Sequence, residues 1–227
     1  MSLFCLVHGA FLGAWCWDLL IPELEARGHE AVAMDLPLED PDAGAVRYAE
    51  AVLQALQGAG DDVVLVGHSM SGLFIPIVAN QRAVRKLVYL AAGIPKVGTS
   101  VVDRVLHGNE SDMFNPAHLN KDPSKDEAVA IEILFHDCKP EVAHWAISKL
   151  RHQASRVVFA EISPIQAMPD IESAYIVCTE DRTVDPAWSK RTARELLGVE
   201  AIALPSGHCP QISRPVHLAE VLTSLTK

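Results

Sequence analysis

The 227-residue chain has no C-x-x-C pair, no basic n-region ahead of its first apolar segment, and no internal repeat or low-complexity tract. It also lacks an uninterrupted apolar run of about 18 residues, which excludes a membrane-spanning helix as an expectation. Its five cysteines, Cys5, Cys16, Cys138, Cys178 and Cys209, form an odd and scattered set. Neither a disulfide framework nor a zinc knuckle fits that pattern, and most of the thiols are expected to be buried. The opening MSLFCLV meets His8 too soon to be a signal peptide, so a cytoplasmic location is expected. Positive charge is scarce: 19 Lys and Arg face 29 Asp and Glu, a formal charge of -10. Such a surface repels phosphate backbones and anionic lipid, which argues against nucleic acid and membranes as partners.

What is present is an ordinary globular composition, 49% hydrophobic and 21% charged, at a length that suits one domain. Short apolar runs alternate with helical patterns. Strands are expected at LFCLVHG (3–9), HEAVAMDLP (29–37), DDVVLVG (61–67), VRKLVYLAA (84–92), SAYIVCTE (173–180) and EAIALP (200–205). Helices are expected over 15–27, 43–56, 71–81, 186–198 and 215–225. Continuous hydrophobic strands separated by helices indicate an α/β protein with a doubly wound, mostly parallel sheet. The alternation breaks over residues 95–168, where helical stretches occur without a convincing strand. That segment reads as a helical lid inserted into a core made of residues 1–94 and 169–227. Val142, Trp145, Ala146 and Leu150 form an apolar stripe within it.

The most informative stretch is VVLVGHSMSG, residues 63–72, where a buried strand ends on Gly-His-Ser-Met-Ser-Gly. A sharp strand-to-helix turn pushes one side chain out above the carboxyl edge of the sheet, where open α/β sheets place ligands. Ser69 occupies that apex. The pattern approximates G-x-S-x-G, with Ser71 at the final Gly position. A serine hydroxyl needs a general base and an acid that orients it. Of ten histidines, His208 follows the last strand in LPSGHCP and opens at the same edge. His8 and His68 lie there too, but inside a strand end and the turn itself. The strand before supplies Glu180, Asp181 and Asp185. Asp185 precedes Pro186 and reads as a helix N-cap, so Asp181 is preferred, with Asp185 as the alternative. The developing oxyanion would need fixed donors, for which the backbone N–H groups of Met70 and Ala10 are the candidates.

These residues resemble the α/β-hydrolase superfamily, and within it the group of plant methyl-ester esterases, hydroxynitrile lyases and their small bacterial esterase relatives. The matching stretches are LVHGAFLGAWCWDLLIPELEARGHEAVAMDLP, GHSMSG, VCTEDRTVDPAW and SGHCP, spread over nearly the whole chain. The resemblance implies Ser69 as nucleophile, His208 as base, Asp181 as acid, and the N–H groups of Ala10 and Met70 as oxyanion hole. It implies hydrolysis of a small-molecule ester with no metal or organic cofactor. Hydroxynitrile lyases of the group carry Thr after the first-strand His and Lys after the late His. Here those positions are Gly9 and Cys209, which favours an esterase. One departure is Leu38, where the loop after DLP usually continues with Gly.

Gly9, Phe11, Phe135 and Trp145 are expected to line the substrate pocket, with Met113 and Phe114 beside them. Other readings of the sequence are a lyase or carbon-carbon bond-cleaving enzyme on the same residues, and a receptor-like protein with little turnover. A homodimer is compatible with the sequence. HDCKPEVAHW gathers His136, Asp137, Cys138 and His144, but its spacing is not that of a zinc site, and no metal is expected.

Overall fold

The computed structural model describes residues 1–118 and 121–226. All six residues of the third strand, Val63–His68, are buried. Successive side chains of a strand point to opposite faces, so Val63 and Leu65 enter one core while Val64 and Val66 enter another. Six strands form the sheet: β1 (Leu3–Val7), β2 (Glu30–Ala33), β3 (Val63–His68), β4 (Lys86–Leu90), β5 (Ser173–Cys178) and β6 (Ile202–Leu204). Their order is β2-β1-β3-β4-β5-β6, and every neighbouring pair is parallel. This is the doubly wound α/β sheet expected from the sequence.

The chain leaves β1 toward one edge and returns at β3 to build toward the other. The carboxyl ends of β1 and β3 therefore diverge into the crevice where such sheets bind ligands. Helices Ala45–Ala55, Ile75–Ala79 and Pro186–Thr192 cover one face, burying Tyr48, Ile75 and Trp188. Helices Ile21–Glu25 and Pro215–Ser224 cover the other, burying Leu24, Leu218 and Leu222 beside Trp17. No helix among the described residues is long and apolar enough to cross a membrane.

Several elements are shorter than their patterns suggest, and proline accounts for two of them. The expected 15–27 helix is a 3-10 turn, Ala14–Trp17, followed by Ile21–Glu25 with Pro22 in its first turn. The expected 71–81 helix is a 3-10 turn, Ser69–Leu73, followed by Ile75–Ala79 with Pro76 in its first turn. Proline lacks an N–H and its ring displaces the preceding turn, so it starts a helix more readily than it sits inside one. β2 stops at Ala33, paired with Leu6, because β1 ends one residue later. β4 stops at Leu90 because Ala91 turns to φ 46°.

Between β4 and β5 the described residues add no strand to the sheet. They form short helices, Val101–Leu106, Glu127–Ala130 running on as a π turn Ile131–Phe135, Pro140–Ile147 and Val157–Ala160. Residues of the expected apolar stripe pack on the body: Ala146 is fully buried, and Val142, Trp145 and Leu150 lie against the core of Trp17 and Leu24. At the start of the segment Arg104 Nε donates to Glu110 Oε1 (3.0 Å) and its Nη1 to Ile94 O (2.7 Å). Glu110 Oε2 also accepts from Trp188 Nε1 (3.1 Å). One buried ion pair thus ties the inserted segment to the end of β4 and to a core helix.

Candidate active site

The backbone at Ser69 has φ 56°, in the left-handed region that a residue with a Cβ rarely occupies. It is the residue on which β3 reverses into the following 3-10 turn. Ser71, at the final Gly position of the pattern, does more than fit. Its hydroxyl is fully buried, with Oγ 2.7 Å from His68 O, 2.9 Å from Val7 O and 3.1 Å from His8 O. It fastens the end of β1 to the turn that carries Ser69, a contact a glycine could not make. Gly9 has its own reason: a Cβ there would lie 2.8 Å from Ser69 Cβ, so only glycine lets the loop after β1 come this close.

His208 Nε2 is 3.0 Å from Ser69 Oγ, and His208 Nδ1 is 2.7 Å from Asp181 Oδ2. A carboxylate only accepts, so Nδ1 carries the hydrogen and Nε2 presents its lone pair to the serine. Asp181 Oδ1 accepts from Thr183 N (2.7 Å) and Val184 N (3.0 Å). Both side chains of this pair are 2% exposed. Asp185 is engaged elsewhere, capping the Pro186–Thr192 helix by accepting from Ala187 N and Trp188 N, each at 2.8 Å. Of the three acids the sequence offered, Asp181 is the one whose carboxylate meets His208.

Two further histidines are held neutral at the edge of the site. His8 Nε2 accepts from Leu36 N (3.0 Å), so Nδ1 is the donor to Gly9 O (2.8 Å). Burial lowers its pKa to about 4, against the opposing pull of the Gly9 bond. His68 Nε2 donates to His208 O (2.8 Å), and burial, with the neighbouring His208, holds it well below the ordinary imidazole range. The Ala10 N–H has no protein acceptor among the described residues. Met70 lies in the first turn of the 3-10 segment, where amides have no partner within the turn. Phe11, next in the loop, also adopts positive φ (64°), and its carbonyl accepts from Arg151 N (2.7 Å).

Above these groups opens a cavity of about 570 Å³, lined by Ala10, Phe11, Ser69, Met70 and His208 from the core and by Val101, Met113, Phe114, Ile133 and Leu134 among the inserted residues. The lysine and arginine side chains on its described lining are Lys121 and Arg156. Arg156 sits over the Phe11 ring, 5.9 Å from its centroid. Phe135 and Trp145, expected on this lining, face elsewhere. Phe135 is buried in the core of Trp17 and Leu24 because the π turn presents Ile133 and Leu134 to the cavity instead. Trp145 packs edge-on against Trp15, centroids 5.5 Å apart. Gly9 touches Ser69 but does not line the space. Leu38, the departure from glycine, is fully buried in the core of Tyr48 and Trp188.

A family model described as "Alpha/beta hydrolase family" matches residues 6–221. The chain belongs to the alpha/beta hydrolase family. It is 29% identical to the pyrethroid hydrolase of Sphingobium wenxiniae over 239 residues, spanning 96% of this chain and 85% of that one. It is 28% identical to salicylic acid-binding protein 2 of Nicotiana tabacum, spanning 98% of this chain and 96% of that one. The crystal structure of polyneuridine aldehyde esterase matches at TM-score 0.83 and 22% identity over 100% of both chains, a likeness of fold. Some contacts around Ser69 and the loop after β1 were missed in the sequence. Ser71 reads there as a small residue at the turn and Arg151 is given no role, because each bonds a carbonyl far away in the chain.

Proposed function

We propose that this hydrolase cleaves small carboxylic esters through an acyl-enzyme, with Ser69 as nucleophile, His208 as base and Asp181 as acid. The observation that carries the reading is the line of contacts from Asp181 Oδ2 through His208 to Ser69 Oγ, 2.7 and 3.0 Å, at the floor of an apolar cavity. His208 Nε2 takes the Ser69 proton as Oγ attacks the ester carbonyl. The N–H groups of Ala10 and Met70 receive the oxyanion. His208 then protonates the leaving alcohol, and water repeats the sequence to free the acid. Asp181, already accepting two backbone bonds, holds the imidazole in the required tautomer and stabilises its cation. Residues 95–168 serve as a lid whose Met113, Phe114, Ile133 and Leu134 shape an apolar seat for the acyl or alcohol group. The position that holds a lysine after the late His in the lyases is Cys209 here, which is fully buried, and burial pushes its thiol well above the ordinary range, so this position supplies no charge for cyanide chemistry.

The test is turnover of p-nitrophenyl acetate and butyrate by the wild type and by Ser69→Ala. The expected result is a loss of about 10³-fold or more in kcat with the fold retained by circular dichroism. Tight binding of ester ligands by a wild type that turns none over would make the protein a receptor and overturn the proposal.

A further inference from the structure

Residues 133–137 of the inserted segment contribute to the cavity wall and also bond the two loops that carry Asp181 and His208. On one side Ile133 and Leu134 form cavity wall. On the other, its carbonyl and side chains bond the residues flanking both groups. Thr183 Oγ1 donates to Ile133 O at 2.9 Å, and the N–H of the same Thr183 donates to Asp181 Oδ1 at 2.7 Å. His136 Nε2 donates to the carbonyl of Glu180, the residue before Asp181, at 3.0 Å. Gly207 N, the amide before His208, donates to Asp137 Oδ2 at 2.9 Å. The fit is close, since a Cβ on Gly207 would come within 2.6 Å of Asp137 Oδ1 and 2.8 Å of His136 Nε2.

Asp137 is costly as a mere spacer. Its side chain is 4% exposed, its nearest cation is Arg214 Nη2 at 3.9 Å, and Oδ1 is buried without a partner. A carboxylate desolvated in this way opposes folding, and the sequence pattern around it offered no metal to justify it.

We propose that His136 and Asp137 are positioning residues that hold the acid loop and the base loop in register with each other and with the cavity wall. An ester seated against Ile133 and Leu134 then bears on the same segment that sets the spacing of Asp181, His208 and Ser69. The proposal rests on the ester-hydrolase reading above for its kinetic consequences. Misplacing a reacting group by about 1 Å can cost on the order of 10²-fold in rate. Neither side chain lines the cavity, so the effect belongs in kcat and not in KM.

The experiment compares Asp137→Ala with Asp137→Asn and His136→Ala with His136→Gln on p-nitrophenyl butyrate. Each alanine variant is expected to lose about 10- to 100-fold in kcat with KM within about twofold. Asn and Gln retain an acceptor for Gly207 and a donor for Glu180, and are expected to restore most of the rate. Proton NMR of the low-field region adds a readout that requires no turnover: the His208 Nδ1–H resonance should be sharp in the wild type, broadened in the alanine variants and recovered in the Asn and Gln variants. A wild type that hydrolyses no ester would sink the functional reading while leaving this spectroscopic comparison decisive. Should Asp137→Ala fail to fold, the His136 pair carries the test. Alanine variants with wild-type kcat and an unmoved resonance would overturn the proposal, as would losses that Asn and Gln do not rescue.

Discussion

In the proposed mechanism Ser69, strained at φ 56°, serves as nucleophile only if His208 presents the correct nitrogen, and that depends on one carboxylate. Asp181 and Asp185 stand four residues apart and both accept backbone N–H bonds, but only Asp181 reaches the imidazole. The two therefore separate by experiment. Asp181→Asn keeps the shape but lets an amide N–H face Nδ1, reversing the tautomer; kcat on p-nitrophenyl butyrate should fall by about 10⁴-fold with little change in unfolding midpoint. Asp185→Ala removes a helix cap, so stability should fall by about 1 kcal/mol while activity persists. An inactive Asp185→Ala with an active Asp181→Asn would reverse the assignment. Proline following Asp185 marked the cap in the sequence, which is why the choice between neighbours was legible there. The hydroxyl of Ser71 was not, because the carbonyls it meets at Val7 and His8 lie more than sixty positions away.

At the scale of elements, the inserted segment depends on how its first helix is anchored. Arg104 is 5% exposed and Glu110 9%, and the pair bridges Ile94 O to Trp188 Nε1. Removing one partner leaves the other charge buried and alone, a loss of about 3 to 5 kcal/mol. Glu110→Ala should show that loss in urea unfolding, whereas Arg104→Met with Glu110→Leu should recover much of it. A Glu110→Ala protein as stable as the wild type would mean that the anchor contributes nothing. The apolar stripe of residues 142–150 illustrates the limit of periodicity. Helical spacing says that one face is apolar, but a face packed on the core and a face turned to a cavity have the same pattern, and here the stripe packs on the core. The π turn at Ile131–Phe135 is likewise invisible in spacing alone, and it is what exchanges Phe135 for Ile133 and Leu134 on the cavity wall.

For the whole molecule, the neutral histidines beneath the site make stability depend on pH. Folded His8 stays neutral down to about 4, whereas an unfolded histidine takes a proton below about 6.5. Its contribution is complete above about 6.5 and is lost as pH falls toward 4, because only the unfolded chain binds the proton. His68 acts with the same sign. Between pH 7 and 5, above the usual carboxylate range, His8 alone should lower unfolding free energy by about 2 kcal/mol. Urea titrations at the two values check this, and equal stabilities would show that neither imidazole is buried neutral. The fold class, the strand-turn-serine apex and the chain order Ser69, Asp181, His208 were readable in the amino-acid sequence alone. Buried parallel strands, turn residues and caps are local signals written within about ten positions. The lining of the cavity, the bonds of Ser71 and the grip of His136 and Asp137 on two loops were decided only by tertiary structure. Each joins groups tens of residues apart, and a hydrogen bond between distant segments leaves no period or motif in either.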